Sequence, residues 1–375
     1  AFCKNEKVTD AAKDPRIIQA RSARYSCSIA PYLKSFEHNL YQLEGDGEWL
    51  PAGPLFAKGR NPTDRAMLLR EKWCSMRDPV CLSLDCSRFD AHVTSSMLSV
   101  EHAVYKRIVR DPAFSRIIGW QQENRCKIGL RFDKGRGKAL RYRADGQRMS
   151  GDMNTALGNC VLMLLMLRRA FEMLGVPVED YQIFDDGDDC IVLVERLQSD
   201  WVEDNIGDIF HEFGHDLKVE STTDEFSQIT LCGSRPVQIS PGKFVMCINP
   251  RRLIGKLSIV HPSNLRRKHF RTVGECVLAW SKDLPVLRSV GLWFMRHNDV
   301  GDRTISQELA YSRSIVSDYE GGEVSVLGRV SLAESWGISV QEQYDLEALY
   351  STRPLETRLA GRFRESEWPI VRDVW

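Results

Sequence analysis

The stretch Tyr181-Gln-Ile-Phe-Asp-Asp-Gly-Asp-Asp-Cys-Ile-Val-Leu-Val194 sets two apolar runs on either side of an acidic turn. Residues 181–184 and 190–194 have the β-branched and aromatic content of strands, and the glycine between them suits a tight turn. The pattern predicts a β-hairpin with carboxylates at its tip. Such a turn is by itself most often a solvated loop, so its meaning depends on the flanking sequence.

Upstream, Gly175 and Pro177 end a helix predicted over 154–174 that follows Ser150-Gly151. Residues 127–148 precede it and carry a net charge of +6. They read as two strands around Asp133-Lys134-Gly135-Arg136-Gly137 and as a phosphate-facing surface. Further back, a helix over 63–76 leads into Val80, Leu82 and Leu84, which alternate as one face of a strand ending at Asp85. Val93, Met97, Val100, Val104 and Ile108 then form a helical stripe closed by Asp111 and Pro112. Downstream, Val202, Ile206, Ile209 and Phe213 mark another helix ending at Gly214. In the strand that follows, Leu217 and Val219 face one way and Lys218 the other. Residues 45–62 are rich in Gly and Pro and read as loop, and beyond Arg251 the pattern is mostly helical, a separate lobe.

The chain has 375 residues, 43% apolar and 27% charged, a composition that argues against disorder. Its longest apolar run, 160–167, is too short for a membrane helix. Formal charge is zero, so any nucleic-acid binding must rest on local charge. Eleven scattered cysteines favour reduced thiols in a cytosolic setting over disulfides or a zinc site. The chain opens on Ala1 without the layout of a secretory signal, and reads as a piece of a longer protein.

Two carboxylate-bearing tips brought together suit Mg²⁺, which takes one or two protein carboxylates and fills its other positions with water and phosphate oxygens. A pair of such ions serves in-line attack of a hydroxyl on a phosphate. Asp85 and the Asp188-Asp189 pair meet that demand, with Asp185 and Asp186 as rivals in the same turn.

The order Asp85-Cys-Ser-Arg-Phe-Asp90, then Ser150-Gly-Asp-Met-Asn-Thr155-Ala-Leu-Gly-Asn159, then Gly187-Asp188-Asp189 resembles motifs A, B and C of positive-strand RNA virus RNA-dependent RNA polymerases, most closely the tombusvirus-type branch. FCKNEK and KDPRIIQARS are similar to the basic motif F, and GHDLKVE and LCGSRPV to motifs D and E, so the resemblance covers roughly residues 1–255.

The resemblance implies an α+β right-hand architecture with an antiparallel palm sheet backed by helices. Residues 1–62 would be partial fingers, 63–112 and 150–255 the palm, 113–149 a fingers insertion and 256–375 a helical thumb. Because the chain begins inside motif F, upstream finger elements are expected outside it. Asp85, Asp188 and Asp189 would hold two Mg²⁺ ions, with Mn²⁺ as a possible substitute. Asp90, Ser150 and Asn159 would check the ribose, with Gly151 as a loop hinge and Thr155 on the same helix face as Asn159. Lys4, Lys7, Arg16 and Arg21 would neutralise the triphosphate. Lys218 would protonate departing pyrophosphate, although a surface lysine at a strand edge fits as well.

Lys127, Arg131, Lys134, Arg136, Lys138, Arg141, Arg143 and Arg148 would contact the RNA backbone, as would Arg251, Arg252, Lys256, Arg266, Arg267 and Lys268. Trp280, Trp293 and Phe294 fit a thumb core better than base-stacking platforms. Implied partners are template and product RNA, ribonucleoside triphosphates, and, through sequence outside this chain, viral replication proteins and host membranes in the cytoplasm.

Other classes fit less well. A reverse transcriptase would share the acid tips but not the Ser150-to-Asn159 signature. A metal phosphoesterase would want a His-rich set, whereas the eight histidines are dispersed. An RNA-binding scaffold would not need Asp85 or Asp188, and no stretch has phosphate-loop spacing.

Overall fold

Alternation of Val80, Leu82, Leu84 and Cys86 commits the strand Pro79–Ser87 to burying one face, and all four are core residues. The computed structural model describes residues 2–3, 16–123, 126–131, 139–144, 146–257, 267–296 and 322–352. They fall into two compact units, residues 1–59 with 72–224, and residues 60–71 with 225–375.

In chain order the first unit contains helix α1 (Ala23–Leu40), the end of α2 (Pro62–Ser75), strand β1 (Pro79–Ser87), α3 (Ser95–Ile108), α4 (Pro112–Glu123), α5 (Thr155–Leu174), β2 (Tyr181–Asp185), β3 (Asp189–Glu195), α6 (Arg196–Glu212) and β4 (Asp216–Thr223). The strands form one sheet in the order β4-β1-β3-β2 with every pair antiparallel. The predicted hairpin, the Asp85 strand and the Lys218 strand are therefore neighbours. A separate two-stranded ribbon, Cys126–Arg131 with Ala139–Arg143, matches the two strands expected in the basic stretch.

Helix α5 is buried on nearly every side because it serves two cores. Met163, Leu167, Ala170 and Phe171 pack with the sheet and α6. Leu157 and Val161 pack with Ile29, Phe36, Tyr105, Phe114 and Ile118 from α1, α3 and α4. On α3 the buried face differs from the predicted stripe. Leu98, Glu101, His102 and Tyr105 turn inward, while Val100 and Ile108 are exposed. The apolar stripe misplaced the face because a charged and an imidazole side chain hold its buried side.

The second unit has its own core. A hairpin of β5 (Ser234–Ser240) and β6 (Lys243–Ile248) is followed by α7 (Pro250–Leu257), α8 (Arg267–Ser281), α9 (Leu287–Arg296), α10 (Val326–Trp336) and α11 (Val340–Thr352). Among the described residues beyond Arg251 the elements are helices, as the sequence predicted. Trp293 and Phe294 are buried there against each other, ring centroids 4.8 Å apart, but Trp280 is exposed and stands outside that core. No helix among the described residues is long and apolar enough to cross a membrane.

Candidate active site

The turn joining β2 to β3 is closed by the Asp186 N–H donating to the Asp189 carbonyl at 3.0 Å. Gly187 adopts φ +101° there, a conformation that favours glycine. The turn presents Asp188 at its tip. On the neighbouring strand Asp85 lies directly opposite Asp189, and Lys218 lies directly opposite Asp85. Directly opposed residues share a sheet face, so Lys218, Asp85 and Asp189 form one row across three strands.

Asp188 is open to solvent yet its carboxyl is raised above its ordinary value, first by desolvation, then by the charges of Asp90 and Asp85. Asp85 and Asp90 therefore each repel a charge on Asp188, an arrangement that favours a cation beside it. Among the described residues no three His, Cys, Asp or Glu side chains already converge on one metal position.

The rivals in the turn have other duties. Asp185 is fully buried, its Oδ1 accepts the Gly187 N–H at 2.6 Å, and its backbone exchanges hydrogen bonds with Leu55 and Ala57. Burial first, then the Asp186 and Asp188 charges, push its carboxyl well above the usual range. It is a buried strut of the turn. Asp186 pairs with Lys58, whose ammonium lies 3.0 Å from its Oδ1 and also donates to its carbonyl. Sequence reading missed Lys58, which a loop rich in Gly and Pro concealed.

Asp90, Ser150 and Asn159 come together. The Ser150 hydroxyl donates to Asp90 Oδ2 at 2.6 Å, and Asn159 Nδ2 donates to Asp90 Oδ1 at 3.0 Å. Thr155 does not join them, because its hydroxyl is shared between the Met149 and Asp152 carbonyls at 2.9 Å each, bracing the loop. Gly151 needs no left-handed backbone. A Cβ there would come within 2.7 Å of the Gln19 carbonyl oxygen, so glycine allows close approach of residues 19–20.

Among the basic residues, Arg148 departs most from expectation. It is buried against Glu101 and Asn159 rather than presented to RNA, because Glu101 on the inward face of α3 supplies its counter-charge. Arg21 grips Asp152 with two hydrogen bonds, at 2.6 and 3.2 Å. Arg16, Arg143, Arg251 and Arg252 are exposed, and Lys256 is half-buried. Lys4, Lys7, Lys134, Arg136, Lys138 and Arg266 lie outside the described residues, as do the side chains of Lys127, Arg131, Arg141, Arg267 and Lys268.

His215, just before β4, is buried against Phe89, ring centroids 4.6 Å apart, with His92 edge-on at 5.8 Å. Burial first, then His92, lowers its pKa to about 4. In the unfolded chain His215 takes a proton near pH ~6.5. Between those values the unfolded state binds more protons, so stability falls as pH is lowered from ~6.5 through about 4. In denaturation series across that window, His215→Phe is expected to lose less stability than the wild type. Equal losses would refute the assignment.

Comparison with known proteins shows the family. Residues 1–358 match the family described as viral RNA dependent RNA polymerase, and the chain belongs to it. It is 34% identical to the RNA-directed RNA polymerase of Groundnut rosette virus, over 93% of this chain and 41% of that protein. It is 31% identical to that of Melon necrotic spot virus, over 95% and 45%, and 30% identical to that of Turnip crinkle virus, over 94% and 46%. The tombusvirus-type resemblance read from the motifs is thus borne out. The chain spans less than half the length of these relatives.

Proposed function

We propose that the protein is an RNA-dependent RNA polymerase that transfers ribonucleoside monophosphates from their triphosphates to an RNA 3′-end, directed by an RNA template, in viral RNA replication. The observation that carries this reading is the row Lys218, Asp85, Asp189 beside Asp188, with Asp90, Ser150 and Asn159 joined by hydrogen bonds. The four-stranded sheet would be the palm, residues 1–62 and 113–149 finger elements, and 256–375 the thumb.

A donor set of carboxylate oxygens in which Asp85 and Asp90 oppose the charge of Asp188 fits Mg²⁺, or Mn²⁺ in its place, and one or two such ligands satisfy it. Asp85 and Asp188 would hold the metal, with Asp189 in support. Two bound ions would stabilise the attacking and leaving oxygens. The Asp90 carboxylate can accept a hydrogen bond from a ribose 2′-hydroxyl that a deoxyribose lacks. Lys218, exposed in register with Asp85, is suited to donate a proton to departing pyrophosphate. Lys4, Lys7 and Arg16 would meet the triphosphate, and the basic ribbon the RNA backbone.

RNA and ribonucleoside triphosphates are the implied partners, and replication proteins at cytoplasmic host membranes are part of the same reading. The test is a primer–template assay on the full-length protein with one ribonucleotide supplied at a time. Incorporation should follow the template base and require a divalent cation. Addition indifferent to the template base would contradict template direction.

A further inference from the structure

Behind Asp90 and Asn159 lies a chain of buried polar groups. The Arg148 N–H donates to the Asp90 carbonyl at 2.9 Å, and its Nε donates to Asn159 Oδ1 at 3.1 Å. Its two terminal nitrogens meet the two oxygens of Glu101, Nη1 to Oε1 at 3.2 Å and Nη2 to Oε2. Neither side chain has exposed surface. Asn154 Nδ2 also donates to Glu101 Oε1 at 2.7 Å, and Gln121 Nε2 donates to Asn154 Oδ1 at 2.8 Å. Burial alone would lower the Arg148 pKa, but the Glu101 charge and hydrogen bonds outweigh it and hold the guanidinium above its ordinary value.

A guanidinium has only donors, so it must face the carbonyl end of the Asn159 amide. That leaves the amide's NH₂ end for Asp90 Oδ1, the contact observed. Arg148 therefore holds Asn159 in the one orientation that presents its NH₂ end to Asp90. A buried ion pair is weak support for stability, since apolar residues of similar volume often do as well. Its use here is orientation.

We propose that Arg148, held by Glu101, is a positioning residue for ribose selection, fixing the Asn159 amide and through it the carboxylate of Asp90 that reads the 2′-hydroxyl. This rests on the polymerase reading and extends it to residues that touch neither nucleotide nor metal.

The test compares the full-length wild type with the double variant Glu101→Met, Arg148→Met, which removes both buried charges together. Folding is checked by melting temperature. Rates are measured for a ribonucleoside triphosphate and its 2′-deoxy analogue, alongside equilibrium binding of both. The expected result is a loss of about tenfold in preference for the ribonucleotide, the worth of roughly one hydrogen bond, with the deoxy rate little changed. Arg148→Lys, which keeps the charge and a donor, should recover part of the preference.

Equal slowing with both nucleotides would mean a structural role only and would overturn the proposal, as would an unchanged preference. If the double variant does not fold, Arg148→Lys alone decides, and an unaltered preference there counts against the proposal. A wild type that incorporates neither nucleotide would instead sink the polymerase reading.

Discussion

Gly158→Ala is expected to destabilise the protein by about 3 kcal/mol or more, the scale of a broken buried ion pair. Ordinary helix energetics point the other way, since alanine inside a helix gains up to ~1 kcal/mol over glycine. Gly158 lies within α5, where an added Cβ would overlap Arg148 Nη2 and Glu101 Oε1. The pair has no solvent into which to retreat. Gly207 in α6 is the control, because a Cβ there meets only the Leu217 carbonyl oxygen at 3.7 Å, an ordinary contact. Chemical denaturation should show Gly207→Ala neutral or stabilising and Gly158→Ala strongly destabilising. Equal gains in both would contradict the placement of the ion pair.

Asp188→Asn should separate function from stability. The substitution removes a charge that Asp85 and Asp90 oppose, so in metal-free buffer the melting temperature should rise slightly or hold. Ligation linked to folding raises the stability of any protein that binds a metal only when folded. The rise on adding Mg²⁺ should therefore be clear in the wild type and reduced in the variant. Nucleotide incorporation should fall by about a thousandfold or more, since metal stabilisation of developing charge contributes several kcal/mol and each ~1.4 is tenfold. A variant that melts lower, keeps its Mg²⁺ response and retains activity would remove Asp188 from the site.

The strand-borne parts of the site were the legible parts. Alternation in Val80, Leu82 and Leu84 placed Asp85 at a strand end, and the two apolar runs around Gly187 fixed the hairpin, because strand faces repeat every second residue. That the Asp85 strand and the hairpin tip lie together was expected from the chemistry and the family resemblance, but the register that sets Asp85 opposite both Asp189 and Lys218 could not be read, since it depends on pairings far apart in sequence. The role of Arg148 was misread for a related reason. Surrounded by Lys and Arg, it looked like one more phosphate contact, and its partner Glu101 is a buried charged residue that an apolar stripe does not reveal. Glycines were legible as constraints but not in kind. Gly187 has the positive φ a turn requires, whereas Gly151 and Gly158 are explained by neighbours that only coordinates reveal.

The most direct test of the account is Mg²⁺-dependent extension of an RNA primer on an RNA template by the full-length wild-type protein, beside Asp85→Asn and Asp188→Asn. The account predicts template-matched incorporation by the wild type and its near-complete loss in both variants while each stays folded. Full incorporation by either folded variant would contradict it.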